Sequence, residues 1–284
     1  MPKKDATAGE RLCTYIRREV LLGELWPQVI DSLTPLARAN ELAAFFEELV
    51  AVQLAGRLVS GGKMISESIG GIDQIASEEF EKDFLAFIRE TTELTGKRRK
   101  EVEKKILTRA SDAVRVARKK EIPRTVEAAV LRFAKNQHPH CYLCGRGLVF
   151  ARADELDALT AEPRKRVYEA EHIWPLSYGG DSDEDNLLPA CSECNRIKDN
   201  YPCWAIVDVQ SLTLGINPSP QDLGRVSGLH RFSLLSRAAW VLADTEGITL
   251  KEAFVDLGPG IAPYVYRPND AADFFNLRNT TRGV

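Results

Sequence analysis

The chain has 284 residues, enough for two or three compact units, and its 44% hydrophobic and 28% charged residues are those of an ordinary globular protein. A net charge of −3 excludes a uniformly basic, polyanion-coating protein, yet the charge is uneven: Lys97 to Lys135 holds fourteen Lys/Arg against five Asp/Glu. No segment is apolar enough to cross a bilayer, and the first twenty residues lack an apolar core before a cleavage site, so the expectation is a cytoplasmic protein with no membrane partner.

Residues 1–120 read as a helical N-terminal region. "NELAAFFEELVAVQL" places Leu42, Phe45, Phe46, Leu49 and Val52 at helical spacing. The glycine pairs at 61–62 and 70–71 predict a loop across "SGGKMISESIGGIDQIAS". "SEEFEKDFLAFIRE" is again helical, with Ser77 as its cap and Phe80, Phe84, Phe87 and Ile88 on its apolar face. Arg99 to Lys120 forms one amphipathic helix, with Val102, Ile106, Ala113 and Ala117 on one side. Lys100, Lys104, Arg115, Arg118 and Lys119 lie broadly opposite, a stripe suited to a nucleic-acid backbone. Pro123 breaks that helix, and another starts near Thr125 with Val126, Ala129, Val130 and Phe133 inward.

From residue 138 the periodicity weakens and Cys, His, Pro and Gly accumulate. Residues 121–205 are therefore set apart as a small domain, and residues 206–284 as a helical C-terminal region containing "HRFSLLSRAAWVLADTEG" and, capped by Thr249, "TLKEAFVDLG". The fold class expected is mainly α with a small α+β insert.

Four of the six cysteines form two C-x-x-C pairs, Cys141/Cys144 and Cys191/Cys194. Each pair folds as a tight knuckle, and four thiolates make the tetrahedral, soft donor set that zinc prefers. With no open position, such a site is structural. The residues between the pairs must leave and return, and "GRGLVF" reads as the opening strand of that excursion. Cys13 and Cys203 stand alone and read as small buried apolar residues. His138 and His140 lie near the first pair but rank below the cysteines as ligands.

The stretch "EHIWPLSYGGDSDEDNLL" holds different chemistry. Phosphodiester hydrolysis needs a base for water, a hard divalent cation at the phosphate, and a scaffold holding them in line. His172 is the natural base, and Glu171 with an asparagine carbonyl supplies hard oxygen donors. On a continuous strand Glu171 and His172 point to opposite faces, so one shared site requires a backbone bend between them.

The order CxxC, EHIxPxSxGG, NLLxxC and CNxxK, spanning residues 126–203, resembles the HNH endonucleases, in the subgroup with two cysteine knuckles. That resemblance implies a ββα-metal core stabilised by a four-cysteine zinc site and flanked by helical regions. It implies His172 as general base, Asn186 as the brace of the hairpin loop, and Glu171 and Asn195 as ligands of Mg²⁺ or Mn²⁺. Glu171 stands where Asp is more frequent, and Lys198, one turn after Asn195, is placed for a phosphate contact. DNA is the implied partner, with double-strand cutting requiring a homodimer or two nicks. The implied setting is a bacterial anti-phage defence or restriction effector, in some cases beside an ATPase. The competing readings are a zinc-stabilised nucleic-acid- or protein-binding module without chemistry, and an HNH nuclease acting on RNA.

Overall fold

The computed structural model describes residues 4–21, 40–117, 121–152, 154–202, 232, 235–236 and 238–258. These residues are mostly helical, with one small antiparallel sheet of two strands. Contacts divide the chain into two compact units: Asp5–Glu121 with Trp174–Asp181, and Met1–Lys4 with Ile122–Ile173 and Ser182–Val284.

The first unit is a bundle of helices. Helix α1 (Ala8–Tyr15) begins with a capping box, in which the Thr7 hydroxyl accepts from the Glu10 amide and the Glu10 carboxylate accepts from the Thr7 amide. It runs into a π-helical turn at Ile16–Leu21. Helices α2 (Asn40–Ser68), α3 (Glu78–Thr92) and α4 (Arg99–Val116) pack against one another, and α1 packs on α4. Their shared core includes Leu12, Ile16, Leu58, Phe80, Phe84, Ile88 and Ile106, all fully buried. Ser77 caps α3 by accepting from the Phe80 amide, as its sequence predicts. Glu103 is buried on α4 and satisfied by two guanidiniums, Arg89 at 2.9 Å and Arg99 at 3.2 Å.

Gly61 and Gly62 do not open a loop; α2 continues through them to Ser68. A Cβ on Gly61 would stand 2.2 Å from the Phe87 ring, and one on Gly62 would stand 2.6 Å from Val114 and 2.7 Å from Phe84. These glycines answer a need for close packing, not for a turn. The side chains of Leu42, Phe45 and Phe46 lie outside the described residues, as do Arg118 and Lys119.

The second unit is built around a hairpin. Strand β1 (Tyr168–His172) pairs antiparallel with β2 (Leu187–Cys191), from Tyr168 opposite Cys191 to His172 opposite Leu187. All five β2 residues are buried. Helix α5 (Arg124–Asn136) packs on β2, α6 (Ala161–Lys165) is one short turn, and α7 (Ser192–Lys198) follows β2 directly. Helix α8 (Leu250–Leu257) starts with a second capping box, Thr249 with Glu252, and its Phe254 ring meets Tyr142 edge-on at 5.1 Å. The segment "GRGLVF" is not the expected strand: it makes only isolated bridges, His140 with Gly147 and Val149 with Val167. The hairpin lies instead between Tyr168 and Cys191.

Candidate active site and metal centre

The hairpin delivers the second cysteine pair. Cys191 ends β2 and Cys194 lies in the first turn of α7, while Cys141 and Cys144 occupy a turn whose Tyr142 amide donates to the Pro189 carbonyl of β2. The four Sγ atoms lie within 4.8 Å of one another, and Cys144 is 3.8 Å from Cys191. A zinc–sulfur bond of about 2.3 Å in a tetrahedron sets sulfurs about 3.8 Å apart, so the donor set fits that ion. The described cysteines are free of disulfides. Arg146 reaches in from the first knuckle, donating to Cys144 at 3.5 Å and to Cys191 at 3.8 Å, and also pairs with Glu193. Hydrogen bonding among the thiols, with Cys141 first, holds Cys144 below the ordinary thiol range, with Arg146 adding to this, while the same contacts push Cys141 and Cys194 up. Anionic sulfur is the form a metal binds. Among the described residues this is the one group of three or more His, Cys, Asp or Glu donors so gathered. His138 stacks on Phe133 instead, and His140 is exposed. Cys13 is buried, as its isolation predicts, and Cys203 lies outside the described residues.

His172 ends β1. Its ring nitrogen Nε2 lies 3.1 Å from the Ser182 hydroxyl, across the chain that links the two strands. Burial first, and the nearby Lys198 charge second, lower its pKa to about 4. The imidazole is therefore neutral at physiological pH, the form that accepts a proton. Asn186 is buried; its main-chain carbonyl accepts from the Ile173 amide at 2.8 Å, which ties the residue after His172 to the start of β2.

Strand β1 stays regular through His172, so Glu171 and His172 take opposite faces, and the backbone bend expected to bring them to one side is not made between them. Glu171 faces α7, where Lys198 Nζ stands 2.6 Å from its Oε1. Burial raises the Glu171 carboxyl and Lys198 opposes that rise. Lys198 is itself buried and also donates to the His172 carbonyl at 2.8 Å. Asn195, one turn earlier on α7, donates from its amide to the Glu169 carboxylate at 2.6 Å. Glu169 belongs to no motif in the sequence, although the alternation in "YEAEH" puts it on the face of Glu171. Two carboxylates and an amide, drawn from a strand and the helix against it, suit a hard divalent ion in donor chemistry. Lys100, Lys104 and Arg115 are exposed along α4 of the other unit, and Arg115 pairs with Asp112.

A hairpin followed by a helix, with a histidine at the strand end and carboxylate and amide side chains between strand and helix, makes a small ββα arrangement. Residues 162–200, which hold this hairpin and α7, match the model of the HNH endonuclease family. No curated protein and no solved structure matches the chain. Among the described residues, no helix is long and apolar enough to cross a membrane.

Proposed function

We propose that this protein is a metal-dependent HNH endonuclease that hydrolyses DNA phosphodiester bonds. The observation that carries the reading is the match of residues 162–200 to the HNH endonuclease model, with His172 neutral, beside Ser182 and last in β1; Glu169 and Glu171 lie on the strand's other face, so base and ion would meet one phosphate at the strand's end. In this reading His172 takes the proton of the attacking water, and Ser182 fixes the ring orientation. Asn186 braces the loop between the strands. Glu171 and Asn195 hold the divalent ion, with Glu169 beside them. That ion, Mg²⁺ or Mn²⁺, supplies charge neutralisation at the scissile phosphate and the leaving oxygen. Cys141, Cys144, Cys191 and Cys194 hold a structural zinc ion that fixes α7 against the hairpin. Lys100, Lys104 and Arg115 give sequence-independent backbone affinity. The resemblance extends the proposal to a setting, a defence or restriction effector.

The test is incubation of the purified protein with Mg²⁺ or Mn²⁺ on supercoiled plasmid and, in parallel, on RNA. Nicked or linear plasmid supports the reading. Cutting of RNA alone replaces the substrate class, and no cutting of any nucleic acid favours a binding module.

A further inference from the structure

Lys198 is the last residue of α7, and its side chain turns inward onto β1. Only 3% of that side chain and 8% of the Glu171 side chain are exposed. A lysine this deeply buried requires a fixed counter-charge and further hydrogen bonds. It has both, in the Glu171 carboxylate at 2.6 Å and the His172 carbonyl at 2.8 Å. Glu171 is also the carboxylate that the nuclease reading gives to the divalent ion. One buried carboxylate does not hold two cations well, because their mutual repulsion is little screened there. The residue after the lysine, Asp199, has φ 51 and ψ −143, a conformation costly for any residue with a Cβ. The chain is thus strained directly beside the anchored lysine.

We propose that Lys198 is a resident counter-cation which a divalent ion must displace from Glu171, so that the hairpin alternates between a lysine-held and an ion-held state. The proposal rests on the nuclease reading of this site and adds what controls its loading. The unbranched lysine stem, leaving from the final helical position, lets the ammonium swing to water without unwinding α7. Its departure also frees the His172 carbonyl, so ion loading acts on the backbone of the residue that serves as base. The role first expected for Lys198, a phosphate contact, becomes open to it only in the ion-held state.

The experiment uses wild-type protein and an amine-acylating reagent, with and without saturating Mg²⁺, with each lysine quantified by mass spectrometry. Lys198 is expected to be protected without the ion and labelled several-fold more with it, while exposed Lys100 and Lys104 label alike in both. Lys198 equally protected in both conditions overturns the proposal. Lys198→Met gives a second measurement, direct Mn²⁺ binding by paramagnetic resonance, with affinity expected to rise roughly ten-fold. Unchanged or weaker binding by a folded variant counts against displacement; if the variant does not fold, the wild-type labelling decides. Cleavage is scored separately. Plasmid cutting with Lys198 protected throughout removes this inference and leaves the nuclease reading. Unmasking of Lys198 by Mg²⁺ without any cutting does the reverse.

Discussion

The main-chain amide of Gly9, in the second residue of α1, donates to the carbonyl of Gly179 at 2.8 Å. Gly179 belongs to Trp174–Asp181, the segment that joins the residue after His172 to Ser182 and is grouped by its contacts with the N-terminal helices. In that unit the Tyr178 ring covers Gly56 on α2, and the buried Trp174 indole donates to the Tyr178 carbonyl at 2.8 Å. A Cβ on Gly9 would stand 2.0 Å from the Tyr178 carbonyl oxygen and 2.3 Å from Trp174 Nε1. Neither can yield without moving the segment. Gly9→Ala should therefore cost about 1–3 kcal/mol, the range for overpacking, read by thermal denaturation. It should also slow cleavage, because the displaced segment is joined directly to the residues around His172. A variant as stable and as active as wild type would show that this segment is not held as described.

Zinc content tests the cysteine cluster. One zinc per chain is expected by elemental analysis. Cys141→Ser or Cys194→Ser should abolish it and remove a folding contribution of at least several kcal/mol, on the order seen for structural zinc. Strong chelators should act likewise. Protein that purifies free of metal with unchanged melting would remove zinc from the account.

The His172 ring should titrate, in protein without added divalent ion, with a midpoint near the value of about 4 set by burial and Lys198. Ring-proton NMR measures this directly. The folded value lies below the unfolded one of about 6.5. The unfolded chain therefore binds more protons between the two, and stability falls as pH drops from about 6.5 towards 4. A midpoint near 6.5 would mean that the ring is solvated and not held against Ser182.

The basic face of α4 predicts a salt effect. Lys100→Glu with Lys104→Glu should weaken DNA binding about equally for all sequences. It should also lower the slope of log affinity against log salt by about 0.9 for each phosphate no longer neutralised. Fluorescence anisotropy at several salt concentrations checks both, and an unchanged slope would place the nucleic acid elsewhere.

Some of this was legible in the sequence because one local rule decided it. Phe80, Phe84 and Ile88 recur at helical spacing behind a serine cap, and all three are buried on α3. The four cysteines were legible because the two pairs complete one coordination shell. Gly61 and Gly62 misled because glycine signals a turn and a close approach alike, and only the rings of Phe84 and Phe87 distinguish the two. "GRGLVF" misled because a strand needs a partner along its length, and the partner of β1 is β2. The pairing of Glu169 with Asn195 and the inward turn of Lys198 were hidden for a related reason: both depend on how α7 lies on β1, which no local pattern encodes.

The most direct measurement is plasmid cleavage by wild type and His172→Ala, matched for zinc content and circular dichroism, across Mg²⁺, Mn²⁺ and a chelator control. The account predicts that wild type converts supercoiled DNA to nicked or linear forms only with a divalent ion, and that the variant is slower by about 10²–10⁴-fold, the usual worth of a general base. A folded, zinc-loaded His172→Ala protein that cuts as fast as wild type would contradict it.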